Sequence, residues 1–209
     1  MNSDFDLRLL VEGKDDYHVT IHLLNENRIG SFNVKECGGY GQVEEVFTAE
    51  LKGSEAARVG IVVDADEYPD DRWASVHNLL PANGYDNLPT EMPTAGLVAT
   101  GSEKPVGVWL MPDNRSMGSI EQFVEALIPE GNRLWDRAQD AICQIPVEER
   151  KFKPQAQPKA KIHTWLAWQE EPGTPMGAAI TKRYLYPTSE SAQAFVDWVK
   201  RLLAVEVDD

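Results

Sequence analysis

Three short stretches of this 209-residue chain place acids where they could act together. Glu12 and Asp16 stand four apart, Asp64 and Asp66 flank one alanine, and Ser119 is followed by Ile120 and Glu121. Carboxylates drawn into one crevice repel one another. At about 4 Å, with an effective dielectric near 20, a like-charged pair costs roughly 4 kcal/mol. Such a cluster persists by raising carboxyl pKa values or by binding cations. Oxygen donors select hard ions, here Mg²⁺ or Mn²⁺.

Each stretch follows a run that reads as a buried strand. Leu7–Val11 precedes Glu12, Val59–Val63 precedes Asp64, and Val106–Met111 lies upstream of Ser119. Such short apolar runs suit a parallel sheet covered on both faces, where ligands sit beyond the carboxyl ends of the strands. Phe32–Cys37 reads as a further strand. Helical spacing is expected from Lys14 to about Arg28, around Val43–Leu51, from Pro69 through Leu80, and from near Ser119. The expected fold is therefore α/β, with about four parallel strands flanked by helices over residues 1–128. Residues 129–209 carry helical signals at Leu134–Ile142, His163–Trp168, Met176–Tyr184 and Ala192–Leu203, and read as a helical extension. The Pro-, Gly- and Thr-rich stretch 85–104 reads as a long excursion, a candidate loop over the site.

Each acid also has an ordinary explanation. Asp15 and Asp16 suit a helix N-terminus, Asp64 and Asp66 suit a turn, and Ser119 with Gln122 makes a capping box. Acids at three strand ends in one chain weigh against three coincidences.

The net charge of −14 argues against a protein that grips nucleic acid over a broad basic face. Arg150, Lys151, Lys153, Lys159 and Lys161 nevertheless fall close together, either as linker charges or as a phosphate-contacting strip. No apolar run is long enough to span a membrane. The start, Met-Asn-Ser-Asp-Phe-Asp, lacks the layout of a signal peptide, and Cys37 and Cys143 make no disulfide or zinc framework. A cytoplasmic protein is expected.

The ordered set Glu12/Asp16, Asp64/Asp66 and Ser119/Glu121 resembles the Toprim signature as found in the OLD-type nucleases. The segments Val-Glu-Gly-Lys-Asp-Asp, Val-Asp-Ala-Asp and Trp109–Asn114 are also similar to a group of small stand-alone bacterial Toprim-like proteins. The likeness covers roughly the first 125 residues. It implies two-metal phosphodiester hydrolysis, with Glu12, Asp16, Asp64, Asp66, Ser119 and Glu121 around the ions. It implies that Glu12 serves partly as general acid or base, and that a lysine stabilises the phosphate. Lys159 and Lys161 both qualify for that lysine. The implied partner is nucleic acid, DNA ahead of RNA, with room for a homodimer. OLD proteins carry an ATPase domain; no Walker motif occurs here, so an ATPase is expected as a separate polypeptide or not at all.

Two other readings compete. Asp64-Ala65-Asp66 is similar to the D-x-D of haloacid-dehalogenase phosphatases, but Tyr68 stands where those enzymes place Thr or Val, and Glu12 and Glu121 go unexplained. A non-catalytic Toprim-fold binding subunit is the more serious alternative. His18 and His22 have zinc-compatible spacing without a third ligand. Trp165, Trp168 and Trp198 read as core of the helical extension.

Overall fold

The computed structural model describes residues 5–53, 56–101 and 104–206. The first four residues of the acidic start, and residues 102–103 of the excursion, lie outside them. The chain is α/β. Strands β1 (Leu7–Val11), β2 (Phe32–Glu36), β3 (Arg58–Asp64), β4 (Leu97–Ala99) and β5 (Val106–Met111) form one sheet in the order β2-β1-β3-β5-β4. β1 pairs in parallel with β2 and β3, and β3 with β5. The fifth strand, β4, pairs antiparallel to β5. It lies inside the stretch read as a loop. Three residues give no periodicity to read, so its strand state comes from its partner.

Successive side chains on a strand point to opposite faces, and each face here has its own core. Leu7, Leu9, Val11, Val62, Trp109 and Met111 belong to one. Leu10, Val59, Ile61, Val63, Val108 and Leu110 belong to the other. Helices α2 (Tyr40–Lys52) and α3 (Pro69–Leu79) cover the second face with Val43, Phe47, Trp73 and Val76. Helix α1 (Lys14–Glu26) covers the first face with Val19, Leu23 and Leu24.

The later helices are α4 (Ile120–Glu125), α5 (Arg133–Cys143), α6 (Gln157–Ala167), α7 (Met176–Thr181) and α8 (Glu190–Leu203). They do not form a core apart from the sheet. Trp165, Ile180, Phe195, Trp198 and Leu202 join the same buried cluster as Leu9 and Trp109. Trp198 is the clearest link. A Cβ at Gly60, Gly96 or Gly107 would come within 3.3 Å of its ring, and Gly60 and Gly107 are register partners on β3 and β5. Three missing side chains thus make a slot for one indole, whose Nε1 donates to the Leu97 carbonyl at 2.8 Å. Trp165 is likewise buried, whereas Trp168 is 42% exposed and lies outside the core expected for it.

Helix α6 starts well before His163. Pro158 sits in its first turn, where a missing N–H costs nothing, so the proline-rich separator ends in a helix start. Lys159 and Lys161 are therefore helical residues. Arg150 has a local task, donating through Nε to the Ile145 carbonyl at 2.9 Å and through a terminal nitrogen to Cys143 at 3.1 Å. That satisfies carbonyls at the end of α5. No helix among the described residues is long and apolar enough to cross a membrane.

Candidate metal centre

Glu12 leaves β1 and is pinned at once. Its Oε1 accepts the backbone N–H of Asp64 at 2.9 Å. Its own carbonyl accepts from the amides of Gly38 and Gly39, each at 2.9 Å. Gly39 has φ of +124°, a conformation open to glycine, and it caps α2. The Gly38–Gly39 turn thus lines the crevice. Asp64 is tied forward as well: its Oδ1 accepts the N–H of Ile120, the first residue of α4, at 3.0 Å. Two hydrogen bonds therefore join the ends of β1 and β3 to the start of α4.

A cavity of about 590 Å³ opens over this junction. Glu12, Asp16, Asp64, Glu121 and Lys159 all line it, and so do Asp15 and Glu36. Residues 85–101 do not line it; Trp73 Nε1 holds the excursion against α3 through the Thr90 carbonyl at 2.9 Å.

Electrostatics follow from crowding. Burial pushes the Asp64 carboxyl up to about 9, and Asp16, Glu12, Glu121 and Asp66 add repulsion. Burial likewise raises Asp16 to about 7, with Glu12, Glu121 and Asp15 contributing. Glu12 is raised by burial, against the lowering effect of the Asp64 N–H and of Arg72. Asp16 is 5% exposed, and its Oδ1 has no hydrogen-bond partner among the described residues.

Lys159 supplies positive charge. Its Nζ donates to Asp15 Oδ2 at 2.6 Å and lies 3.8 Å from Glu121 Oε1. The Asp15 hydrogen bond raises its pKa, with Glu121 and Asp16 adding to the effect, so the ammonium stays charged. Lys161 does not line the crevice. Two positions along a helix turn a side chain by about 200°, so the two lysines cannot share a face.

Asp66 and Ser119 sit to one side. Asp66 has φ of +56°, which breaks the strand alternation that would have aimed it with Asp64. Its backbone makes a two-way bridge with Gly118, both bonds 2.8 Å. Its exposed carboxylate meets the Arg72 guanidinium at 2.5 Å, and that guanidinium lies 3.8 Å above the Tyr40 ring. Arg72 and Tyr40 carried no signal in the sequence; only the fold brings them here. Ser119 Oγ lies 2.7 Å from Glu121 Oε2 and 2.8 Å from Gln122 Oε1, and its N–H donates to Gln122 Oε1 at 2.9 Å. It orients Glu121 and starts α4. Asn114, buried beyond β5, accepts from the Leu110 N–H at 2.8 Å and shapes the turn leading there. His18 and His22 fall elsewhere, on the α1–α7 seam, where His22 Nδ1 is 2.9 Å from Thr181 Oγ1.

Among the described residues, no three His, Cys, Asp or Glu side chains are gathered tightly enough to form a metal-holding group. The crevice residues nonetheless fit a hard cation in chemistry. Their donors are carboxylate oxygens, their charges raise one another's pKa, and one buried Asp16 oxygen is unpartnered.

Residues 7–204 match the model of a family described as a protein of unknown function, DUF3226, and the chain belongs to that family. Among curated proteins and solved structures nothing matches.

Proposed function

We propose that this DUF3226 member is a Mg²⁺- or Mn²⁺-dependent hydrolase of nucleic-acid phosphodiesters, of the Toprim nuclease kind. The observation that carries the reading is the convergence of Glu12, Asp16, Asp64 and Glu121 with Lys159 on one crevice at the carboxyl end of the sheet. Those four carboxylates would hold the cations, two per site on the Toprim likeness, with Asp66 and Ser119 at the rim. Bound ions would supply Lewis-acid polarisation of the phosphate and a water of lowered pKa.

The chain's own residues have distinct tasks. Asp64 is oriented by the Ile120 N–H, and Glu121 by Ser119. Glu12, whose carboxyl pKa is raised by burial, is suited to accept and return a proton. Lys159, lining the same crevice, would stabilise charge that builds on the phosphate. Lys161 has no such position. The substrate proposed is DNA ahead of RNA, with a separate ATPase as possible partner and a homodimer as assembly.

The test is nicking of supercoiled plasmid in Mg²⁺ or Mn²⁺ by purified protein, beside Asp64→Ala and Glu12→Ala. Nicking lost in both variants supports the hydrolase. Equal nicking in all three marks contamination and overturns it. One observation favours a second reading, a non-catalytic binding subunit: the net charge of −14, against which a polyanion must be held. No nicking by any of the three, with metal binding intact, favours that subunit.

A further inference from the structure

A second pocket, of about 480 Å³, is lined by both residues of the Asp66–Gly118 bridge. Its volume is in the range of small-molecule sites. Ser119 lines it, and Glu121, two residues on, lines the acidic crevice, so one turn of chain separates the two. Its walls are Tyr68, Met117, Pro154 and Pro158. Tyr68 and Met117 are 65% and 66% exposed.

The rim narrows the choice. No lysine or arginine lines the pocket, and Asp66 and Glu67 do, so a phosphate is disfavoured. The Gln155 side chain and the Gln122 amide nitrogen have no hydrogen-bond partner among the described residues, whereas Gln122 Oε1 is already engaged by Ser119. What fits is a flat, uncharged group with hydrogen-bonding edges, joined to an anion that reaches the neighbouring crevice. A nucleobase attached to its phosphate meets each condition. Aromatic faces stack bases of any sequence.

We infer that this pocket is a base subsite: the base next to the scissile phosphate stacks on Tyr68, between Met117 and the prolines at the start of α6. The inference rests on the hydrolase reading and deepens it by making a single-stranded or unstacked nucleotide the form of substrate taken. It gives the Pro154–Lys159 segment a task, since that segment carries both a wall of this pocket and the lysine of the acidic crevice.

The test separates binding from chemistry. Fluorescence anisotropy, at fixed salt and with Ca²⁺, compares a labelled deoxythymidine oligonucleotide with the same sugar–phosphate backbone lacking bases. Wild type, Tyr68→Ala and Tyr68→Phe are measured, each checked for an unchanged Tm. The expected result is about tenfold tighter binding of the oligonucleotide with bases, the effect of one stacked base. That preference disappears in Tyr68→Ala and survives in Tyr68→Phe. Equal affinity of wild type for both ligands, no binding of either, or a preference untouched in Tyr68→Ala overturns the subsite. Cleavage in Mn²⁺ is scored separately. Base-dependent binding without cleavage keeps the subsite and overturns the hydrolase; cleavage without base dependence does the reverse.

Discussion

Glu12 Oε1 accepts the backbone N–H of Asp64 at 2.9 Å, so the acid leaving β1 is fixed by the residue that closes β3. The bond holds two carboxylates side by side despite their repulsion. It does so with a backbone donor that no side-chain substitution removes. A fold that keeps such a pair stores destabilisation at one place, and several measurements can find it.

Neutralising Asp64 should stabilise the metal-free protein. Asp64→Asn keeps an oxygen for the Ile120 N–H and removes a group whose charged form is disfavoured. The expected gain is at least about 1 kcal/mol, a rise in Tm of about 2–4 °C in EDTA. The same variant should lose the Tm increase that Mn²⁺ gives wild type. A lower Tm in EDTA would contradict the account of the crevice.

Stability should also depend on pH in a set direction. Asp16 and Asp64 are raised to about 7 and about 9, above the ordinary carboxyl value of 3.8. The folded protein therefore binds more protons than the unfolded chain between those limits. Their contribution favours folding at low pH and is lost as pH rises through 7 and 9. In EDTA, the fall in Tm from pH 6 to 9 should be steeper for wild type than for Asp16→Asn/Asp64→Asn. Mn²⁺ should flatten the wild-type profile. Parallel profiles for the two proteins in EDTA would show that neither group is shifted.

The two lysines should separate cleanly. Lys159→Ala should cut plasmid nicking by about 100-fold, the usual loss when a donor to a charge-developing oxygen is removed. Lys161→Ala should nick at the wild-type rate. Thermal melts of both variants check that the difference is not one of folding. Equal losses would remove Lys159 from the site.

Trp198 should be the costliest single side chain of the late helices. Trp198→Ala empties a slot bounded by three glycines and leaves the Leu97 carbonyl without its donor. Urea unfolding followed by circular dichroism should show a loss of about 3–5 kcal/mol. Gly107→Ala attacks the slot from the other side, where a Cβ would stand 2.7 Å from Leu202 Cδ2 and 2.9 Å from Trp198 Cζ2. It should cost about 1–3 kcal/mol. An unchanged midpoint for both variants would mean that α8 does not hold the sheet.

Much of this molecule is written locally. Val59–Val63 and Val106–Met111 are strands because β-branched and apolar residues run together over a strand's length, and both appear where the pattern puts them. Pro69 opens α3 for the reason its fixed φ gives. Glu12, Asp16, Asp64 and Glu121 were visible because each follows such a strand or opens such a helix, and the α/β alternation sends those ends to one side. What stayed hidden depended on partners far away in the chain. Three residues, Leu97–Ala99, become a strand only beside β5. Gly60 and Gly107 become one slot only once register sets them opposite each other. Asp66 leaves its neighbour Asp64 because Gly118 and Arg72, 52 and 6 residues away, hold its backbone and its carboxylate. Lys159 and Lys161 are alike in type and in local surroundings. The packing of α6 against α4 and α5 decides which of them lines the crevice, because a helix presents only one of two such positions to a given side.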